Sequence, residues 1–182
     1  MLVEQAAIVK LIDYYLNGLL DPFITPLELH KLMYFLQEAG EPLHLQYVQS
    51  VYGPYAKNLY KMISKNKEDF VVGYFDGESS FNNQLELVPS ALEKANIVLR
   101  DKENTLARLT KVSVLIEGFE SPFGLELLST VQWVATRIPV SSVDDVIVQI
   151  YAWNERKRQF SKRQIGLALN VLNEKKWLNK VY

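Results

Sequence analysis

Cysteine is missing from the 182 residues, which excludes disulfide bonds, thiolate metal sites and a cysteine nucleophile. Histidine is scarce: His30 and His44 are the two present, and they lack the i, i+4 spacing of a zinc-binding H-E-x-x-H helix. Packed or surface imidazoles are the expectation for both. The eight glycines never form G-x-G-x-x-G or a P-loop, so no loop for cradling phosphates is expected. No apolar run reaches the roughly 18 residues of a membrane helix. Glu4, Lys10 and Asp13 interrupt the N-terminal segment at helical spacing, unlike a signal peptide. A cytoplasmic address without membrane partners follows as an expectation.

Charge of one sign is also locally missing. From Glu68 to Glu93 there is no Lys or Arg, while Glu68, Asp69, Asp76, Glu78, Glu86 and Glu93 are acidic. From Glu155 to Lys180 the balance reverses, with eight Lys/Arg against two Glu. The net charge of −1 conceals both surfaces. What the chain has in quantity is core material: 48% hydrophobic residues beside 23% charged ones, enough for one globular domain spanning residues 1–182.

Periodicity divides that material mainly into helices. Ala7, Ile8, Leu11, Ile12 and Tyr15 predict a helix over residues 3–17. Thr25-Pro26 is an N-cap followed by proline at the first helical position, and Leu29, Leu32, Met33 and Leu36 mark one buried face behind it. Leu43 to Val51 is rich in strand formers, Gly53-Pro54 reads as a turn, and Lys57 to Ser64 returns to helix. Phe70–Phe75 and Leu85–Leu87 are short strand-like runs able to pair as a hairpin. Helical patterns then cover Ala91–Leu99, Thr105–Ile116, a segment opened by Ser121-Pro122, another capped near Ser141, and a last one with the capping box Ser161/Gln164. The fold class expected is α+β, mostly α. It is a compact multi-helix domain with a small antiparallel β-element near residues 43–87 and a helix-turn-helix-like C-terminal pair.

The words KLMYFLQEAGEPLHLQY and YGPYAKNLY, between Lys31 and Tyr60, carry a resemblance. The pattern of a Lys-Leu-x-Tyr-Phe helix, a strand, then Tyr-Gly-Pro and a short helix resembles the Panacea-type antitoxin domain. More closely, it resembles the C-terminal domain of the DarG antitoxins over roughly the first 65 residues. The resemblance implies a toxin partner, the DNA ADP-ribosyltransferase DarT, silenced by a domain that mimics single-stranded DNA in its cleft. Full-length DarG proteins also have an N-terminal macrodomain that removes ADP-ribose from DNA. No glycine-rich segment of that kind is present, so no macrodomain is expected in this chain.

Under that resemblance, the acidic stretch supplies the candidate toxin-binding residues: Glu68, Asp69, Tyr74, Phe75, Asp76 and Glu78. Phe70 and Phe81 belong to the same stretch. Carboxylates with flat rings offer a partner what a single strand offers, spaced negative charge and stacking faces. Tyr52 and Tyr55 join them on the Tyr-Gly-Pro-Tyr turn, whose first expected role is packing. Glu117, Glu120 and Glu126 form the next acidic segment. The alternative reading takes the C-terminal pair as a DNA-binding module, with Arg156, Lys157, Arg158, Lys162 and Arg163 on phosphates, or the chain as a Panacea antitoxin for an unrelated toxin. With so small a net charge, only weak nucleic-acid binding is expected there. Glu38/Glu41, Glu68/Asp69 and Asp144/Asp145 are the nearest approach to paired carboxylates. Sequence neighbours usually point apart, and Asp144/Asp145 suits a helix start. No catalysis and no cofactor are therefore expected.

Overall fold

The computed structural model describes residues 1–18, 23–64, 70–74, 81–179 and 182. Its elements are α1 (Val3–Gly18), α2 (Pro26–Glu38), β1 (Tyr47–Ser50), β2 (Gly53–Ala56) and α3 (Leu59–Ser64). Then follow β3 (Val71–Val72), β4 (Glu86–Leu87), α4 (Pro89–Leu99), α5 (Glu103–Ile116), α6 (Pro122–Arg137), α7 (Val143–Trp153) and α8 (Lys162–Glu174). A 3₁₀ turn, Glu155–Gln159, joins the last two helices. The protein is α+β, mostly α, with two small antiparallel sheets, β1–β2 and β3–β4. No helix among the described residues is long and apolar enough to cross a membrane.

α2 is the axis of the molecule. α1, α5 and α6 pack against it; α4 packs on α1 and α5, α7 and α8 pack on α6, and the β1–β2 hairpin lies against α2 and α6. A single apolar face is the expectation for α2, yet ten of the eleven positions from Pro26 to Leu36 are buried, Leu27 being the exception. A helix buried on nearly all sides sits inside the core. That placement takes Glu28, His30 and Lys31 inside with it. Each then needs a polar partner, because an unmatched buried group costs several kcal/mol, roughly 2–7 by transfer data.

Local signals set the ends of the elements. Thr25 caps α2, its side chain accepting from the Glu28 N–H while the Glu28 carboxylate takes the Thr25 N–H at 2.7 Å. Ser121 caps α6 by accepting from the Gly124 N–H, and Ser161 with Gln164 forms the capping box of α8. The β-hairpin departs from expectation. Val51 and Tyr52 form its tip, and Gly53-Pro54 opens β2 with Ser50 paired to Gly53 and Gln49 to Pro54. The glycine is needed because φ there is +95°, and because a Cβ would lie 3.0 Å from Thr130 Oγ1. The second hairpin pairs Val71 with Leu87 and Val72 with Glu86.

Candidate functional site

The hairpin tip is fastened to the C-terminal end of α7. The Trp153 indole donates to Ser50 O at 2.8 Å and the Asn154 amide donates to Val51 O at 3.1 Å. Asn154 also accepts from the Lys157 N–H at 3.2 Å, capping the 3₁₀ turn. One asparagine thereby positions both the hairpin and the basic turn over the same stretch of α6. The Glu126 carboxylate rises from α6 into the gap.

Three side chains converge on that carboxylate. Lys157 Nζ donates to Oε1 at 2.6 Å, Arg156 Nη2 to Oε2 at 2.9 Å, and Gln159 Nε2 to Oε1 at 3.4 Å. Lys157 is 0% exposed and lies against the rings of Trp153 and Phe160. Burial lowers its pKa, against which Glu126 acts to keep it charged. The Arg156 guanidinium spreads over the Tyr52 ring, 4.6 Å from its centre. Lys31 enters from α2, with its Nζ donating to Pro54 O at 2.7 Å. It is 2% exposed, and burial, reinforced by the neighbouring Lys157 charge and opposed by Glu126, brings its pKa down to about 7.

Lys31, Tyr52, Phe123, Glu126, Arg156 and Gln159 border a cleft of about 370 Å³. That volume lies in the range of small-molecule sites. Pro122 and Phe123, the first turn of α6, form one lip, and the Phe123 ring is partly exposed. Two cations, Arg156 and Lys157, thus share one carboxylate, with the Lys31 amine beside them. Among the described residues no group of three or more His, Asp or Glu is arranged to hold a metal.

Behind the hairpin sits His30, fully buried rather than merely packed. The Ala56 N–H donates to its Nδ1 at 3.2 Å, so Nε2 carries the hydrogen toward the Tyr74 oxygen at 3.1 Å. Burial, with Lys31 adding to it, lowers its pKa to about 3, and the ring stacks on Tyr55 at 4.1 Å. His44, by contrast, is exposed on the loop before β1.

The candidates from sequence separate accordingly. Tyr52 borders the cleft, whereas Tyr55 and Tyr74 contact His30. Glu68, Asp69, Phe75, Asp76 and Glu78 lie outside the described residues. Phe70 and Phe81 are buried in the interior, where neither ring can fill a partner's pocket. Of the basic residues, Arg156 and Lys157 turn onto Glu126, Arg158 pairs with Glu155, and Lys162 and Arg163 are exposed on α8. Three of the five are thus engaged in ion pairs within the chain. Glu38 pairs with Arg137, Glu41 with Arg108, and Asp145 with Ser141 at the start of α7, so none of these carboxylates faces its sequence neighbour.

Lys31 escaped the reading from sequence, although Leu27 four residues before it and Tyr34 and Phe35 three and four after it put apolar neighbours on its helical face, a signal for burial. Glu126 appeared there only as part of a reserve acidic segment, with nothing to pair it with residues some thirty positions on.

No protein-family description matches the chain. It is similar to a protein of Thermus aquaticus named DNA ADP-ribosyl glycohydrolase, at 34% identity over 168 residues, covering 92% of this chain and 46% of that protein. Proteins of the same name from Mycobacterium bovis and Mycobacterium tuberculosis are 33% identical over 153 residues, 81% of this chain and 44% of theirs. That name is an enzyme's. It overturns the resemblance to a Panacea-like DarG antitoxin domain as a guide to function. The expectation of a non-catalytic inhibitor that plugs a DarT-like toxin by DNA mimicry falls with it, as do the DNA-binding and unrelated-toxin alternatives. The chain spans a little under half the length of the curated relatives it matches.

Proposed function

We propose that the chain acts in the removal of ADP-ribose from DNA, the activity its relatives are named for, and holds the modified strand in the Lys31–Glu126–Arg156 cleft. One observation carries the reading: the identity of 34% extends over 92% of this chain. The geometry is compatible with it. The cleft offers donors with a surplus of positive charge, beside the partly exposed Phe123 ring on which a base can stack. Glycosidic cleavage by paired carboxylates requires two of them about 5–9 Å apart. Glu126 is the one carboxylate among the described residues that border the cleft, and its oxygens already accept from three side chains. Binding and orienting the substrate is the work this arrangement suits.

The test is an oligonucleotide carrying ADP-ribose, incubated with the chain and followed by liquid chromatography with mass detection. Release of ADP-ribose in proportion to protein supports the reading. So does tighter binding of the modified strand than of its unmodified twin. A strand that is neither cleaved nor preferred overturns it.

A further inference from the structure

Lys31 is an unusual expense for a core. A buried ammonium is disfavoured unless its three donors are used, and the described residues provide Lys31 with one acceptor, Pro54 O. Its carboxylate neighbour is already engaged: Glu126 accepts from Lys157, Arg156 and Gln159. The charges around the cleft are Lys31 from α2, Glu126 from α6, and Arg156 and Lys157 from the 3₁₀ turn, with the neutral His30 one residue along α2. Arg156 and Lys157 already outweigh Glu126, and protonated Lys31 adds a third cation, which leaves the cleft short of negative charge. Lys31 and Arg156 both border it.

We propose that this cleft binds a phosphate oxyanion, held by the Lys31 ammonium, the Arg156 guanidinium and the Gln159 amide. The inference rests on the function proposed above only for its choice of ligands. These are the diphosphate of ADP-ribose and the phosphodiester of a DNA strand, which share the same chemistry. An incoming oxyanion supplies acceptors for the unused donors of Lys31 and the charge that Lys157 and Arg156 together overbalance. Charge-assisted hydrogen bonds of this kind are roughly twice as strong as neutral ones. Both ligands keep a fixed charge near neutrality, so any pH dependence of binding reports on the protein. Binding favours protonated Lys31, and affinity falls as pH rises above about 7.

The experiment titrates the whole chain with ADP-ribose, and separately with an unmodified single-stranded oligonucleotide, by calorimetry at about pH 6.5 and 8.5. Lys31→Met and Arg156→Gln are each expected to weaken binding by about tenfold or more. Lys31→Met should also abolish the pH dependence, which Arg156→Gln should keep. Arg100→Gln, at the exposed end of α4, should change neither. Binding of ADP-ribose alone assigns the cleft to the diphosphate; binding of the oligonucleotide alone assigns it to the phosphodiester. No binding of either ligand overturns the proposal, as does equal weakening by Arg100→Gln. Arg156 is partly solvent-exposed, so Arg156→Gln remains decisive even if Lys31→Met fails to fold. Unweakened binding by Arg156→Gln would then refute the site. If ADP-ribose release persists in variants that have lost phosphate binding, the proposed function stands and the cleft does not serve it.

Discussion

Two buried glutamates tie distant parts of this chain together, and they do so with opposite charge balance. Glu41, just after α2, accepts from Thr105 Oγ1 at 3.0 Å and from Arg108 Nη1 at 2.9 Å, both on α5. One anion meets one cation, and the pairing closes. Glu126 meets Arg156 and Lys157, with Lys31 behind them. The first arrangement is a fastening between helices. The second carries a positive surplus beside an open cleft, which packing alone does not call for. Burial of a charged pair is common to both; the imbalance is what separates a joint from a site.

The comparison can be broken most forcefully at Glu126. Replacing it with Gln removes the anion from Lys157, which has no exposed surface through which to recover solvation. Stripping one partner from a buried ion pair costs about 3–5 kcal/mol. Urea denaturation of Glu126→Gln should show a loss of that size, partly recovered in Glu126→Gln/Lys157→Met. An unaffected midpoint would mean that the network is not holding the 3₁₀ turn to α6.

Glu41→Gln should cost less, about 1–2 kcal/mol. The Thr105 hydroxyl can still donate to the amide oxygen, and Arg108, 31% exposed, can turn toward water. If the two substitutions prove equally damaging, charge balance is not what distinguishes the two sites.

Acid should act on the cleft side through His30. Its pKa falls from 6.5 to about 3 on folding, so the unfolded chain binds more protons than the folded one between these values. Stability is therefore lost as pH drops from about 6.5 toward 3. His30→Gln should flatten part of that slope, as read from denaturation midpoints at several pH values. An unchanged slope would place the acid sensitivity in the carboxylates instead.

How much of this was visible in the sequence follows from distance along the chain. Thr25-Pro26, Ser121-Pro122 and Ser161/Gln164 were legible as helix starts because each cap bonds within three residues. The helix-turn-helix-like pair at the C-terminus was legible for the same reason. Gly53-Pro54 was misplaced because the glycine answers to Thr130 and Lys31, a tertiary demand no dipeptide rule records. The cleft was least legible of all. Lys31, Glu126 and Lys157 come from three separate elements, and a charged residue in a helical pattern is ordinarily read as solvent-facing. Only the all-round burial of α2 turns Lys31 inward.

The smallest effect expected is at Glu155 and Arg158, and it sharpens the comparison by setting its baseline. They lie in the same 3₁₀ turn as Lys157 and form an ion pair of ordinary length, 3.0 Å. Their side chains, however, are 86% and 59% exposed, so water and salt screen the pair. Holding two long side chains together also costs rotamer entropy. Exposed pairs of this kind contribute about 0–1 kcal/mol. Glu155→Gln should therefore leave the urea midpoint nearly unmoved, and added salt should change it little. A loss approaching that of Glu126→Gln would show that the turn's stability comes from its surface charges. The buried Lys157–Glu126 bond would then no longer be what fixes Arg156 over the cleft.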